Sequence, residues 1–298
     1  MAEQAIAGRT RELLARHGLV LKKSLGQHFL TDPHILNKMI DAAELGSDAG
    51  VLEIGPGVGA LTERLAEEAG SVAAVELDAR LVPVLKELFL SSPHVHIIHG
   101  DAMKLDLGQV IHTCLGDTSR RSVVANLPYY ATSPILMRLL EERLPLDRIV
   151  VMIQKEVAQR LMARPGTKDY GALTVAARYY AETEWVTRVP GHVFIPRPQV
   201  DSAVIRFHIR KQPAVEVADE RLFFRVVRAA FGQRRKTLLN ALAANLSEGK
   251  RKKEVNEWIL EAGIDPKRRG ETLTLEEFAG LADVLDRKAR DLIRMAGK

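Results

Sequence analysis

The sequence predicts an α/β fold, a mostly parallel sheet with helices on both faces, joined to a smaller all-helical C-terminal domain. Three observations carry this prediction. Short apolar runs recur from Val51 onward, each followed by a stretch of helical period: VLEI (51–54), VAAVEL (72–77), VHIIHG (95–100), VVANL (123–127) and IVVMI (149–153). Strands buried on both faces read as such continuous runs, and alternation with helices implies parallel pairing. Gly55, Gly57 and Gly59 come directly after the first run and before a helical stretch, as in the ligand-binding turn of an open α/β sheet. Beyond the linker KQPAVEVAD (211–219), the apolar spacing is helical to the end of the chain.

Taken in order, a helix is expected over 3–17, then a polar loop, then a second helix, ILNKMIDAAEL, led in by Pro33. The five strand–helix repeats follow. A sixth strand, AVIRFHI (203–209), comes after the Pro-rich turn at 194–198. The tail reads as ERLFFRVVRAAF, KTLLNALAANL, KKEVNEWILEAGI and a last long helix. Thr274 with Glu277 three residues on gives that last helix a capping box. The expected domains are 1–210, including a helical extension over 1–45, and 211–298.

Composition bounds the function. The 298 residues are 46% hydrophobic and 27% charged, a globular balance with ample chain for a core that needs no staple. Cys114 is the one cysteine, so an intramolecular disulfide and a cysteine metal cage are excluded. His94, His96 and His99 lack a partner acid at ligand spacing, and no metal is expected. No apolar run approaches the roughly 18 residues of a membrane span, and the start lacks the apolar block of a signal peptide. A cytoplasmic protein with no membrane partner is expected. Charge is uneven: 22 basic and 24 acidic residues lie up to Val204, 21 and 14 beyond it. A basic tail on a nearly neutral first part suggests a polyanionic partner held by the tail.

Glycines after the first strand permit a tight turn and close approach of a ligand to the backbone. Gly55, Gly57 and Ala60 also satisfy a dinucleotide pattern, so the loop by itself leaves a dehydrogenase open. Glu76 ends the second strand, where an acid would hold ribose hydroxyls in either reading. Asp101, after the third strand, could accept from an adenine amine or cap the next turn.

The segment Asn126-Leu127-Pro128-Tyr129 after the fourth strand separates the candidates. An exocyclic adenine amine is a poor nucleophile because its lone pair is delocalised into the ring. Two acceptors can bind its hydrogens and draw that lone pair out of conjugation. The Asn126 side-chain carbonyl and the Leu127 backbone carbonyl can do this, with Pro128 restricting the backbone so that the latter points into the site. Tyr129 offers a ring for base stacking. Hydride chemistry would want an acid or base where Asn126 stands.

GQHFL (26–30), EIGPGVG (53–59), VELD (75–78), GDAMKLD (100–106), NLPYY (126–130), FIPRPQVDSAV (194–204) and AFGQRRKTLLN (230–240) together resemble the ribosomal RNA adenine dimethyltransferase family. FGQRRKTLLN and the long helical tail favour its small-subunit branch over the large-subunit enzymes of macrolide resistance. The resemblance implies a class I S-adenosylmethionine-dependent methyltransferase fold. It implies transfer of methyls to the N6 amines of two adjacent adenines in the 3′-terminal hairpin of small-subunit (16S) rRNA, each methylated twice. The implied partner is that rRNA within a small-subunit particle, bound by a monomer with a role in subunit biogenesis. His28, Leu30, Gly55 and Gly57 would line the cofactor site, Glu76 would bind the cofactor ribose, Asp101 its adenine, and Asn126 would lie between methyl and amine. Phe194 would stack on the base opposite Tyr129. His28 stands where Asn is frequent in the family, and Tyr130 where Asn or His is frequent. Arg234, Arg235 and Lys236 are expected in the first turn of a helix after a stop at Gly232. Cations there oppose the helix macrodipole, which points to contacts with RNA phosphates.

Overall fold

The computed structural model describes residues 2–19, 26–247 and 251–296, so positions 20–25 of the expected polar loop lie outside the described residues. The chain begins with α1 (Ala2–Arg16), β1 (Phe29–Leu30), α2 (Pro33–Ala43), β2 (Ala49–Ile54), α3 (Ala60–Glu68), β3 (Ser71–Glu76) and α4 (Leu81–Leu88). It continues with β4 (Val95–His99), α5 (Leu107–Leu115), β5 (Arg120–Asn126), α6 (Thr132–Glu141), β6 (Arg148–Gln154), α7 (Lys155–Met162) and α8 (Ala172–Tyr180). Then come β7 (Ala181–Val189), β8 (Phe194–Ile195), β9 (Ser202–Ile209), α9 (Glu220–Phe231), α10 (Leu238–Ser247), α11 (Lys252–Glu261) and α12 (Leu275–Ala296).

Seven strands form one sheet in the order β4-β3-β2-β5-β6-β9-β7. The five apolar runs read from the sequence supply its parallel part, and β9 adds antiparallel to β6. Val51, Leu52, Val72, Ala73, Val123, Val124, Val150 and Val151 are fully buried, as strands covered on both faces require. β7 was not expected from the sequence. Glu182, Glu184 and Arg188 are exposed along it; charges on an edge strand blunt further pairing and also mask the apolar signature of a strand.

The winding places the site. From β2 the chain moves outward through β3 to β4, then returns to β5 on the other side of β2. The strand order therefore reverses between β2 and β5, and their carboxyl ends open a crevice. The sheet's flank is closed by α2, whose N-terminus is capped by Asp32 accepting from His34 and Ile35 N–H, and whose Leu36, Met39 and Ala43 are buried in the main core. A separate two-stranded ribbon pairs β1 with β8, Phe29 opposite Ile195 and Leu30 opposite Phe194.

The chain divides into two compact units, Met1–Ala158 with Glu182–Ile209, and Gln159–Ala181 with Arg210–Lys298. The cut after Ile209 falls one residue from the boundary expected at 210. Gln159–Ala181, placed in the first domain on sequence grounds, groups instead with the tail helices. The cause is a cluster of aromatic rings: Tyr179 stacks on Phe223 at 5.0 Å and Tyr180 on Phe224 at 5.5 Å. The Tyr180 hydroxyl adds a hydrogen bond of 2.6 Å to Glu220. Within this second unit the capping box is as expected, with Thr274 N–H donating to Glu277 at 2.8 Å and Glu277 N–H donating to the Thr274 hydroxyl at 3.2 Å.

Candidate active site

The loop leaving β2 is shaped by its glycines at two points. Gly55 has φ +75° and Gly57 φ +59°, a region that side chains rarely adopt. A Cβ on Gly57 would also lie 2.7 Å from the Phe29 ring, so that residue has no room to be anything else. Gly55 N–H donates to Val75 O at 2.9 Å, which ties the loop to β3.

Three acids stand around this loop. Glu53 is buried inside β2, where it accepts a 2.6 Å hydrogen bond from the Thr62 hydroxyl of α3. Burial pushes its carboxyl up to about 8, with the Thr62 bond opposing and the charge of Glu76 adding. Glu76 is 5% exposed. One of its oxygens accepts from Gly57 N–H at 3.1 Å, the other from Asp78 N–H at 2.7 Å. Burial raises its pKa against those two bonds. Each oxygen keeps a second lone pair, so a held carboxylate can still accept from two vicinal hydroxyls. Asp78 secures the turn behind it: Arg80 donates at 2.6 Å and Gln27 at 3.1 Å. The guanidinium holds the Asp78 carboxyl down to about 2.

Asp101 does two things at once. It caps the following turn, accepting from Met103 N–H at 2.9 Å, and it lines the same cavity as Glu76. The side chain is 33% exposed, with Lys104 Nζ 3.8 Å away.

At the end of β5, the Asn126 Nδ2 group donates to the backbone carbonyl of His28 at 2.9 Å. A carbonyl only accepts, so the amide nitrogen faces His28 and Oδ1 faces away from it. Leu127 is buried, and its N–H donates to Met152 O at 3.1 Å. Among the described residues no donor reaches Asn126 Oδ1 or the Leu127 carbonyl. Pro128, at φ −62° and ψ 132°, turns the chain into a short 3-10 turn. The Tyr129 ring is pinned from two sides, by a 2.6 Å hydrogen bond between its hydroxyl and that of Ser202 and by the His28 ring stacked 5.3 Å away at 27°. His28 is itself held by Nδ1 donating to Pro196 O at 2.7 Å.

A cavity of about 220 Å³ gathers these groups. His28, Leu30, Gly55, Gly57, Glu76 and Asp101 line it, as do Asn126, Leu127, Pro128 and Tyr129. Glu53, Gln27, Met103 and Tyr130 line it too and were not assigned to the site from the sequence. A carboxylate within the apolar run VLEI is the signal that could have found Glu53, since a buried charge needs a reason. Among the described residues, no three His, Cys, Asp or Glu side chains could hold a metal ion.

Two expectations need correction. Phe194 is not among the cavity's lining residues: it is 3% exposed in the main core with Leu30, Leu36 and Met152. Its pairing opposite Leu30 turns an apolar ring inward, and the ring beside Tyr129 is that of His28. Arg234, Arg235 and Lys236 are exposed, but they lie in the turn between α9 and α10 rather than in the first turn of a helix. The Thr237 hydroxyl accepts from Asn240 N–H at 3.4 Å, so the helix opens after the cations. Gly232 ends α9 in a right-handed conformation, φ −61°. Its lack of a side chain accommodates Asn245, whose Nδ2 would lie 3.0 Å from a Cβ. Arg234 donates to Tyr170 O at 2.7 Å; the side chains of Arg235 and Lys236 have no partner among the described residues.

Comparison with known proteins identifies the family. Residues 18–286 match the model of the family described as ribosomal RNA adenine dimethylase. The chain is 58% identical over 282 residues to ribosomal RNA small subunit methyltransferase A of Geobacillus thermodenitrificans, covering 94% of this chain and 96% of the relative. The Bacillus cereus protein of the same name is 52% identical over 286 residues, covering 96% and 98%. Among solved structures, a dimethyladenosine transferase from Plasmodium falciparum aligns with a TM-score of 0.70 at 25% identity, covering 88% of this chain and 98% of that one. The 23S rRNA methyltransferase ErmE aligns at 0.62 and 28% identity, covering 87% and 99%.

The buried Glu53 generates a pH prediction. It keeps its proton up to about pH 8 in the folded chain, against 4.5 for an ordinary glutamate. Between those values the folded state binds more protons than the unfolded one, so stability is full below the lower value and falls as pH rises through the upper. Glu53→Gln removes this slope while leaving Thr62 an acceptor. In thermal unfolding the variant should gain more over wild type at about pH 9 than at about pH 5. Equal gains at both would contradict a protonated Glu53.

Proposed function

The chain belongs to the ribosomal RNA adenine dimethylase family, and on that premise we propose that it dimethylates two adjacent adenines in the 3′-terminal hairpin of small-subunit rRNA. It is an S-adenosylmethionine-dependent methyltransferase. The observation that carries the substrate reading is the pair of unengaged acceptors at Asn126 Oδ1 and the Leu127 carbonyl, on one wall of the cavity. Two hydrogens on one amine are what such a pair fits.

The chain's own groups suit S-adenosylmethionine, which supplies an electrophilic sulfonium methyl. Glu76 offers two spare lone pairs for a ribose diol, and Asp101 an acceptor for an adenine amine. Asn126 and the Leu127 carbonyl orient the target amine, and Tyr129 presents a ring held rigid at both ends. Catalysis then comes mainly from orientation and fixed dipoles. No general base is required early, because the amine loses its proton after transfer. The unpaired Arg235 and Lys236, with Arg234 beside them, take RNA phosphates outside the cavity. The enzyme acts as a monomer in the cytoplasm on rRNA within a small-subunit particle.

Small ribosomal subunits carrying unmethylated adenines, incubated with the protein and labelled S-adenosylmethionine, should yield N6,N6-dimethyladenosine at two adjacent 3′-hairpin positions of their rRNA by mass spectrometry. Label absent from that hairpin would refute the reading. In calorimetric titration, Glu76→Ala should weaken S-adenosylmethionine binding by about 1–3 kcal/mol, as removal of charge-assisted hydrogen bonds does. Asp101→Ala should cost less, since its carboxyl is more exposed and partly engaged in its own turn. Replacing Arg234, Arg235 and Lys236 together by Gln should weaken rRNA binding. It should also flatten the salt dependence by roughly one unit of log–log slope for each phosphate no longer neutralised. A wild-type slope would make the three residues structural.

A further inference from the structure

A second cavity, of about 490 Å³, lies against the first and shares with it the wall formed by Gly26, Gln27, His28 and Tyr129. Its remaining lining is Gln154 at the end of β6 and the segment Pro196–Val200. Neither the glycine loop nor Asn126 reaches it. Whatever reacts at Asn126 therefore occupies the first cavity.

The chemistry of the second cavity is specific. His28 contributes an aromatic ring fixed by its hydrogen bond to Pro196 and backed on one face by the Tyr129 ring. Gln154 and Gln199 contribute carboxamides, each able to donate and accept. Arg197 contributes a guanidinium. Among the described residues none of these three polar side chains has a hydrogen-bonding partner. That sets Arg197 apart from most arginines of the same unit: Arg80, Arg120, Arg148, Arg188 and Arg206 are each paired with a carboxylate. A ring to stack on, amides to meet a base edge and a guanidinium free for a phosphate are the three requirements of a nucleotide seat.

We propose that this second cavity seats the nucleotide next to the target adenine on the same RNA strand, with Arg197 on a phosphate beside it and Gln154 and Gln199 at its base edge. The inference rests on the rRNA-methylating reading above and adds to it a residue set outside the cofactor cavity. One phosphodiester separates neighbouring nucleotides, and one shared wall of side chains separates the two cavities. Because the substrate presents two adjacent adenines, whichever reacts has the other as neighbour. A carboxamide can bond the N6 and N7 edge of an unmodified adenine but loses the N6 donor once that neighbour is dimethylated. The seat thereby senses how far the reaction has gone.

The test uses small ribosomal subunits carrying unmethylated adenines, with full-length wild-type protein and Arg197→Gln. The variant should raise the KM for subunits roughly tenfold or more, as expected when one charge-assisted hydrogen bond is removed. It should also lower the log–log salt slope of subunit binding by about 0.7–0.9, the value of one neutralised phosphate. S-adenosylmethionine affinity, measured by calorimetry, should stay at the wild-type value and shows that the fold is kept. An unchanged KM and slope, or a change confined to cofactor affinity, would overturn the seat while leaving the methyltransferase reading intact. No methylation of the subunits by the wild-type protein would overturn that reading, and the seat with it.

Discussion

The site depends on one hydrogen bond, from Asn126 Nδ2 to the His28 carbonyl at 2.9 Å. It decides which end of the amide faces the cavity. With the nitrogen spent on a backbone carbonyl, Oδ1 is left as an acceptor beside the Leu127 carbonyl, and on the proposed reading an amine would find two acceptors rather than an acceptor and a donor. The bond joins elements far apart in sequence: His28 precedes β1, whereas Asn126 ends β5, at the point where the strand order reverses. His28 in turn is fixed by Pro196 and by its stack on Tyr129, so the residues before β1, after β5 and after β8 form one rigid assembly. Preorganisation of this kind lowers a barrier without any group having to move during the reaction.

A second constraint is the burial of acids around the glycine loop. Glu53 relieves the cost of burial by holding its proton, and Glu76 by accepting two backbone N–H bonds. Asp78 does so through Arg80. The same N–H of Gly57 that satisfies Glu76 belongs to the residue whose backbone only glycine can provide. The loop and the acid therefore position each other. A side chain at residue 57 would displace the Phe29 ring, and with it the ribbon that carries Leu30 into the core.

Much of this was legible in the sequence, for physical reasons. Continuous apolar runs alternating with helical stretches read as strands of a parallel sheet. Four of the five are buried on both faces, while β4, at the sheet edge, is only partly buried. Glycines after the first of them mark the turn at the crevice. Glu76, Asp101 and Asn126 fall at strand ends, where register leaves little freedom, and the cavity collects all three. Thr274 and Glu277 announce a helix start by spacing alone. What was not legible depends on partners distant in sequence. The inward turn of Phe194 follows from pairing with Leu30. The grouping of Gln159–Ala181 with the tail follows from rings on Tyr179, Tyr180, Phe223 and Phe224. The strand β7 hides behind charges suited to a sheet edge, and the start of α10 after the cations depends on the Thr237 hydroxyl.

The most direct measurement is the single-turnover methyl-transfer rate of Asn126→Asp as a function of pH. A carboxylate has no hydrogen for the His28 carbonyl, so the variant should be slower than wild type on the order of a hundredfold near neutral pH, the scale of one missing preorganised hydrogen bond. On acidification its protonated form can donate to His28 and still present an acceptor to the amine. Its rate should therefore recover relative to wild type as pH falls, at unchanged S-adenosylmethionine affinity. A variant that matches the wild-type rate, or stays equally impaired at every pH, would contradict an amide oriented by His28.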